Sequence, residues 1–217
     1  MPKKIFLVGL AGGSGAGKSR LLRKLALAVA NEWQGAAALA TLSLDDYYKD
    51  RSHMLPAERE RINYDHPEAL DFGLLKEHLR LLKTGQVIAK PVYAFASHTR
   101  AAETQLFPQE PAALVSTLYI MVEGILSLYD PELRALLDSS LYLDVAEELR
   151  LTRRLSRDQR ERGRDRESVL RQYQDTVLPM HKAFVEGTRE HAVHVLKGSE
   201  EETVHLGVLL KVLRGLV

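Results

Sequence analysis

The stretch Gly12-Gly13-Ser14-Gly15-Ala16-Gly17-Lys18-Ser19 holds the residue types that phosphate chemistry needs, in an order that lets them act together. Glycines let a backbone curl round an anion with its N–H groups turned inward, and a helix starting beneath them adds roughly half a positive charge. Lys18 is spaced to reach the β- and γ-phosphates of a nucleotide, and the Ser19 hydroxyl to ligate Mg²⁺. The pattern is Walker A, and its Lys-Ser ending has no purpose in a mere connecting turn. Carboxylates come next. Asp45 and Asp46 follow an apolar run, and Glu123 follows another. A hydroxyl nucleophile needs a carboxylate to take its proton, and Mg²⁺ needs hard oxygen ligands. Asp45 is the candidate base, with Ser19, Glu123 and Asp45 on the metal side; Asp46 reads as an ordinary turn residue.

Phosphate binding alone does not separate a kinase from a GTPase, a motor or a nucleotide sensor. The chain has no Asn-Lys-x-Asp guanine reader after a later strand and no Leu-Ser-Gly-Gly-Gln run. Both absences favour a kinase of a small molecule.

The elements that must position these groups follow from periodicity. Residues 5–8 form a continuous apolar run, suited to a parallel strand covered on both faces. Residues 18–33 repeat leucine and alanine at helical spacing, and 36–44 reads as a second strand. Residues 50–66 are charged and irregular, 71–82 read as a helix stopped by Gly85, and 87–107, with Pro91 and alternating aromatics, as a hairpin beside the main sheet. Strands are expected over 113–122, 141–145 and 192–196, and helices over 131–137, 147–163, 167–184 and 203–213. Strands alternating with helices imply an α/β fold, a doubly wound parallel sheet with an inserted hairpin. In such a sheet ligands gather beyond the C-terminal strand ends, where the glycine loop, Asp45 and Glu123 all fall.

Composition bounds the rest. The 217 residues, 45% of them hydrophobic, suffice for one sizeable core, so a single domain over 1–217 is expected. Thirty Lys and Arg against 29 Asp and Glu leave no global field for nucleic acid or an anionic membrane, and zero cysteines exclude disulfides and thiolate metal sites. The apolar run after Lys3 and Lys4 looks like a signal peptide but is too short and ends in the glycine loop, and no stretch approaches the ~20 apolar residues of a membrane span. A cytoplasmic protein is expected.

Several stretches, in order, resemble the signatures of uridine–cytidine kinases: residues 44–48 (LDDYY), 63–71 (NYDHPEALD), 91–95 (PVYAF) with His98 and Arg100, 122–126 (VEGIL), and 153–158 (RRLSRD) followed by 161–164 (ERGR). The likeness spans about residues 5–185. It implies transfer of the ATP γ-phosphate to the 5′-hydroxyl of uridine or cytidine, with Mg²⁺. It implies Asp45 as base, Asp65 on the ribose hydroxyls, and Tyr48, Tyr93, Phe95 and His98 around the pyrimidine, with Arg154, Arg164 and Gln172 nearby. It further implies a helical, arginine-rich lid over about 150–166 that closes on ATP, with Arg157 and Arg162 neutralising the moving phosphoryl group, and a homotetramer. Two stretches depart from the family: Ala94 stands where an Asp is usual, and 191–200 (HAVHVLKGSE) replaces an acidic-apolar strand followed by Pro-Arg-Gly. The alternatives are a kinase of another small hydroxyl compound, such as a sugar phosphate, or a catalytically silent nucleotide-binding regulator.

Overall fold

In the computed structural model, which describes residues 3–109 and 115–217 and leaves the side chain of Arg162 outside the described set, the first apolar run forms β1 (Lys4–Ala11). Then come β2 (Ala37–Ser43), the hairpin strands β3 (Ile88–Ala94) and β4 (Thr99–Phe107), β5 (Thr117–Glu123), β6 (Ser139–Asp144) and β7 (His194–Lys197). Five of them build one parallel sheet in the order β2-β5-β1-β6-β7, while β3 and β4 pair antiparallel as a separate ribbon. The α/β, doubly wound parallel sheet is what the alternation of patterns predicts.

Side chains alternate across β1 and β5, and each face has its own cover. Leu7, opposite Ile120, joins the cluster covered by α3 (Phe72–Lys83). Val8, opposite Met121, joins the cluster covered by α1 (Lys18–Glu32) and α8 (Glu202–Arg214). The remaining helices are α2 (Pro56–Arg59), α4 (Pro131–Leu136), α5 (Glu147–Arg162), α6 (Arg166–Gln172) and α7 (Leu178–Met180). Helix α3 starts where the Asp71 carboxylate accepts from the Leu74 N–H (3.0 Å) and buries Leu75, Leu79 and Leu82 on one face.

Local chemistry moves some boundaries. The second strand stops at Ser43, because its hydroxyl accepts from the Asp45 N–H (3.3 Å) and tightens 44–47 into a 3₁₀ turn. Asp45 therefore sits on a turn and not on the strand. Of the strand expected over 113–122, residues 113 and 114 lie outside the described set, and Glu123 is the strand's last residue. The helix expected over 167–184 is divided: α6 and α7 are each followed by a π-helical turn, Tyr173–Val177 and His181–Val185. Pro179, which has no N–H for the i−4 carbonyl, lies between those turns. Residues 50–66 contain the single-turn helix α2.

Leu79 is fully buried in the cluster beneath the sheet. Leu79→Ala is expected to cost about 2–5 kcal/mol of unfolding free energy in a urea titration, because the cavity can close only in part. A loss under about 0.5 kcal/mol would mean that this face of α3 is not core.

Candidate active site

The glycine loop joins β1 to α1 and is held from behind by backbone contacts that only glycine permits. Gly12 has φ +143°, and a Cβ there would stand 2.6 Å from the Leu143 carbonyl; Gly15 has φ +81°, and a Cβ there would run into the Arg150 carbonyl. Lys18 is buried and donates to the Gly12 carbonyl at 2.8 Å and the Gly13 carbonyl at 3.4 Å. Burial pulls its ammonium pKa down, and the carboxylates of Glu123 and Asp45 oppose that, while Arg157 and Arg150 add to it.

Three oxygen groups converge beside Lys18. The Ser19 hydroxyl donates to Glu123 Oε1 (3.1 Å), the Ser43 hydroxyl lies 3.5 Å from the same oxygen, and Ser43 caps the turn that carries Asp45. One serine thus fixes the base candidate relative to the metal-side acid. Ser43 was not among the residues singled out by type. Among the described residues no cluster of three or more His, Asp or Glu forms a metal cage. One hydroxyl and one or two carboxylates fit Mg²⁺, which keeps waters and phosphate oxygens as its other ligands. The curled loop with its inward-facing backbone fits a nucleotide's phosphates.

Asp46 turns the other way and pairs with Lys90 of β3 at 2.5 Å. Arg100 of β4 clamps the same region, donating to the Tyr48 carbonyl (2.8 Å) and to Asp71 (3.1 Å). At the hairpin tip Ser97 donates twice to the Ala94 carbonyl, through its N–H (3.3 Å) and its hydroxyl (3.4 Å), so the turn closes without an acid at 94. His98 follows with φ +53°, a left-handed conformation unusual for a side chain of its size.

The hairpin faces an aromatic wall. Tyr48 and Tyr93 have ring centroids 4.9 Å apart, and Tyr93 meets Phe95 edge-on at 5.4 Å; Phe95 is 43% exposed and marks the rim. Tyr64 stacks on His98 at 4.6 Å with 16° between the rings, which adds it to the set. Its place next to Asp65 was the available signal. Tyr48 lies within electrostatic reach of Asp45 and Asp65, and burial pushes its phenol well up. Burial also raises the Asp65 carboxyl, against the pull of Arg154 and Arg157.

Helix α5 lies across the loop through its arginines. Arg153 donates to the Ala16 carbonyl (3.0 Å), and Arg154 to the Ser14 hydroxyl (2.8 Å) and to Gln172 (3.0 Å), which also accepts from Arg164 (2.5 Å). Arg157 donates to the fully buried Asp158 (2.8 Å). Arg162 ends α5, and its side chain lies outside the described residues. The structure therefore brings Lys18, Ser19, Asp45 and Glu123 to one point, joins Arg154, Arg164 and Gln172 in one network, and gathers Tyr48, Tyr93, Phe95 and His98 on one wall.

Known proteins resemble this chain over most of its length. Residues 7–204 match the Phosphoribulokinase / Uridine kinase family. A uridine kinase of Bacillus cytotoxicus is 40% identical over 207 residues, 95% of this chain and 92% of the relative. One from Streptococcus thermophilus is 38% identical over 209 residues, 96% and 93%. Among solved structures, a protein of Silicibacter sp. TM1040, provisionally described as a fructose transport system kinase, superposes with TM-score 0.72 at 23% identity over 90% of this chain and 91% of its own. One of Bacillus stearothermophilus, provisionally described as a uridine kinase, gives 0.54 at 18% over 90% of each. These two speak for the fold.

Because Lys18 is the buried cation of the loop, Lys18→Ala is expected to abolish detectable phosphoryl transfer while the far-ultraviolet circular dichroism stays that of the parent. Turnover within tenfold of the parent would remove the loop from the chemistry.

Proposed function

The chain belongs to the phosphoribulokinase / uridine kinase family, and we propose on that premise that it is a pyrimidine ribonucleoside kinase, moving the γ-phosphate of ATP to the 5′-hydroxyl of uridine and cytidine to give UMP and CMP. The observation that carries this reading is the meeting, on one side of Lys18, of a half-buried carboxylate, Asp45, with an aromatic wall that leads away from it. The named relatives, 38–40% identical over nearly their whole length, support it. We read the domain as one catalytic unit, with the hairpin as its base-binding wall and residues 150–166 as its lid.

The roles follow from that reading. Asp45 takes the proton of the 5′-hydroxyl, and Asp65 accepts from the ribose diol. Tyr48, Tyr93 and Phe95 offer ring faces and edges to a flat base. Lys18, Arg157 and Arg162 neutralise charge that grows on the transferring group, and Arg154, Arg164 and Gln172 orient the acceptor. Ser19 and Glu123 hold Mg²⁺, which when bound draws charge from the phosphate oxygens. A sugar phosphate would leave the aromatic wall without a partner.

Replacing Asp45 by Asn keeps the shape but removes the proton acceptor, so kcat is expected to fall by roughly 10²–10⁴ while nucleoside still binds. A near-normal kcat in ADP-release assays with uridine and cytidine would move the base elsewhere, and release with ribulose 5-phosphate in their place would favour the sugar-phosphate alternative.

His98 explains the acceptance of two bases. Uridine offers a carbonyl at position 4 and cytidine an amino group, and a neutral imidazole can donate to the first or accept from the second by changing tautomer or orientation. Stacking on Tyr64 holds the ring plane. His98→Phe is expected to lower kcat/KM for both nucleosides by the worth of one hydrogen bond, about 0.5–1.5 kcal/mol. Unchanged values for both would remove His98 from base recognition.

A further inference from the structure

Behind the glycine loop lies a cavity of about 170 Å³ that Asp45, Asp65 and Glu123 do not line. Its walls are Gly13, the end of β6 with the start of α5, and the π-helical turn after α7, which supplies His181 and Lys182. None of the groups assigned above to the nucleoside or to Mg²⁺ lines it.

Two of its lining side chains are buried with a polar atom that has no hydrogen-bond partner in the chain. Arg150 is 4% exposed; its Nε donates to the Val145 carbonyl (3.0 Å), and its Nη1 is left over. His181 is 8% exposed, and its Nδ1 is left over. A guanidinium N–H buried without an acceptor costs a large part of its hydration, so an arrangement that repeats this twice in one cavity asks for a ligand that repays it.

The donors around the cavity define that ligand. Asp144 is engaged by Arg189 at 3.0 Å, and Glu147 and Glu186 also line the walls. At His181 burial first, then Arg150, Lys18 and Lys182, hold the imidazole near pKa 4 against the pull of Asp144, so it is neutral at physiological pH. A neutral imidazole can donate through Nδ1, Arg150 donates through Nη1, and the exposed Lys182 adds an ammonium at the mouth. These three donors suit an oxyanion.

We propose that this cavity is a second anion site, distinct from the loop's own phosphate cradle, which binds a phosphate-sized oxyanion, either inorganic phosphate or the phosphoryl end of a small metabolite, between Arg150, His181 and Lys182. Arg150 serves both sides, since its guanidinium packs against Gly13 and its carbonyl backs Gly15. An occupant of the cavity and the phosphates in the loop thus press on the same short segment of chain.

The test separates this site from the catalytic one by filling the latter first. The full-length protein is saturated with a non-hydrolysable ATP analogue and Mg²⁺, and inorganic phosphate is titrated by calorimetry and by ³¹P NMR line broadening. One further equivalent of phosphate is expected to bind, with its dissociation constant raised at least tenfold in Arg150→Gln and in His181→Leu. Should either buried variant fail to fold, Lys182→Gln on the exposed rim is expected to raise it at least threefold. Glycerol 3-phosphate distinguishes the sources: displacement of phosphate at lower concentration identifies a metabolite's phosphoryl group, and none identifies the free ion. No binding to the saturated parent, or binding that these substitutions leave unchanged, overturns the proposal. Neither result depends on which nucleoside is phosphorylated.

Discussion

A loop that grips an anion with its backbone cannot carry side chains where it is braced from behind, because the bracing chain must come within backbone contact there. Here that brace is the end of β6 and the first turns of α5. The Leu143 carbonyl stands where a Cβ of residue 12 would be, and the Arg150 carbonyl where one of residue 15 would be. The contact forces α5 to leave β6 directly over the loop, and its next turns then deliver Arg153 to the Ala16 carbonyl and Arg154 to the Ser14 hydroxyl. Glycines at 12 and 15 therefore determine where the arginines stand, as well as how the loop curls.

So many cations near one buried lysine would be unstable without internal compensation. Lys18 leans on two loop carbonyls and feels Asp45 and Glu123, and Asp158, fully buried, is shared between Arg157 (2.8 Å) and Arg154 (3.5 Å). Ion pairs in such places seldom add stability, because desolvation consumes most of the attraction, but leaving one partner alone is costly. The arrangement fixes orientation. An arginine whose fork is already engaged on one side presents its remaining donors in a defined direction, which is what recognition of a phosphoryl group requires.

What could be read along the chain was whatever lies within one or two turns of itself. The Walker pattern between a strand and a helix, and acidic residues at or just beyond two strand ends, depend on spacing alone, and the glycine loop, Asp45 and Glu123 stand there, although Asp45 rides on a turn and Glu123 closes its strand. The partner of each group did not follow, because partners come from remote parts of the chain: Lys90 lies 44 residues from Asp46 and Arg100 lies 29 from Asp71. Tyr64 was passed over for the same reason, since its stacking on His98 exists only once the hairpin folds back. The π-helical turns after α6 and α7 escaped because their apolar spacing is close to that of an ordinary helix. The cavity lined by Arg150 and His181 had no sequence signal, since the two residues meet only across the packed elements.

The hairpin shows how such remote contacts join recognition to chemistry. A two-stranded ribbon is marginal by itself, so β3 and β4 need anchorage. Ile88 and Phe107, paired at its base, enter the core beneath the sheet, and Tyr93 joins the same core nearer the tip. Charge adds to this, with Lys90 near the base on Asp46 and Arg100 near the tip on Asp71 and the Tyr48 carbonyl. Asp46 belongs to the same four-residue 3₁₀ turn as Asp45, and Tyr48 follows it at once. Since a 3₁₀ turn is short and internally bonded, its neighbours cannot shift independently, so a displacement of the hairpin moves the turn, and with it the carboxylate that faces Lys18. Misplacement of a reacting group by about 1 Å can cost 10²-fold in rate. Asp46, paired with the hairpin and next to Asp45 in the turn, is thus the residue through which, on the proposed roles, the base-binding wall sets the position of the proton acceptor.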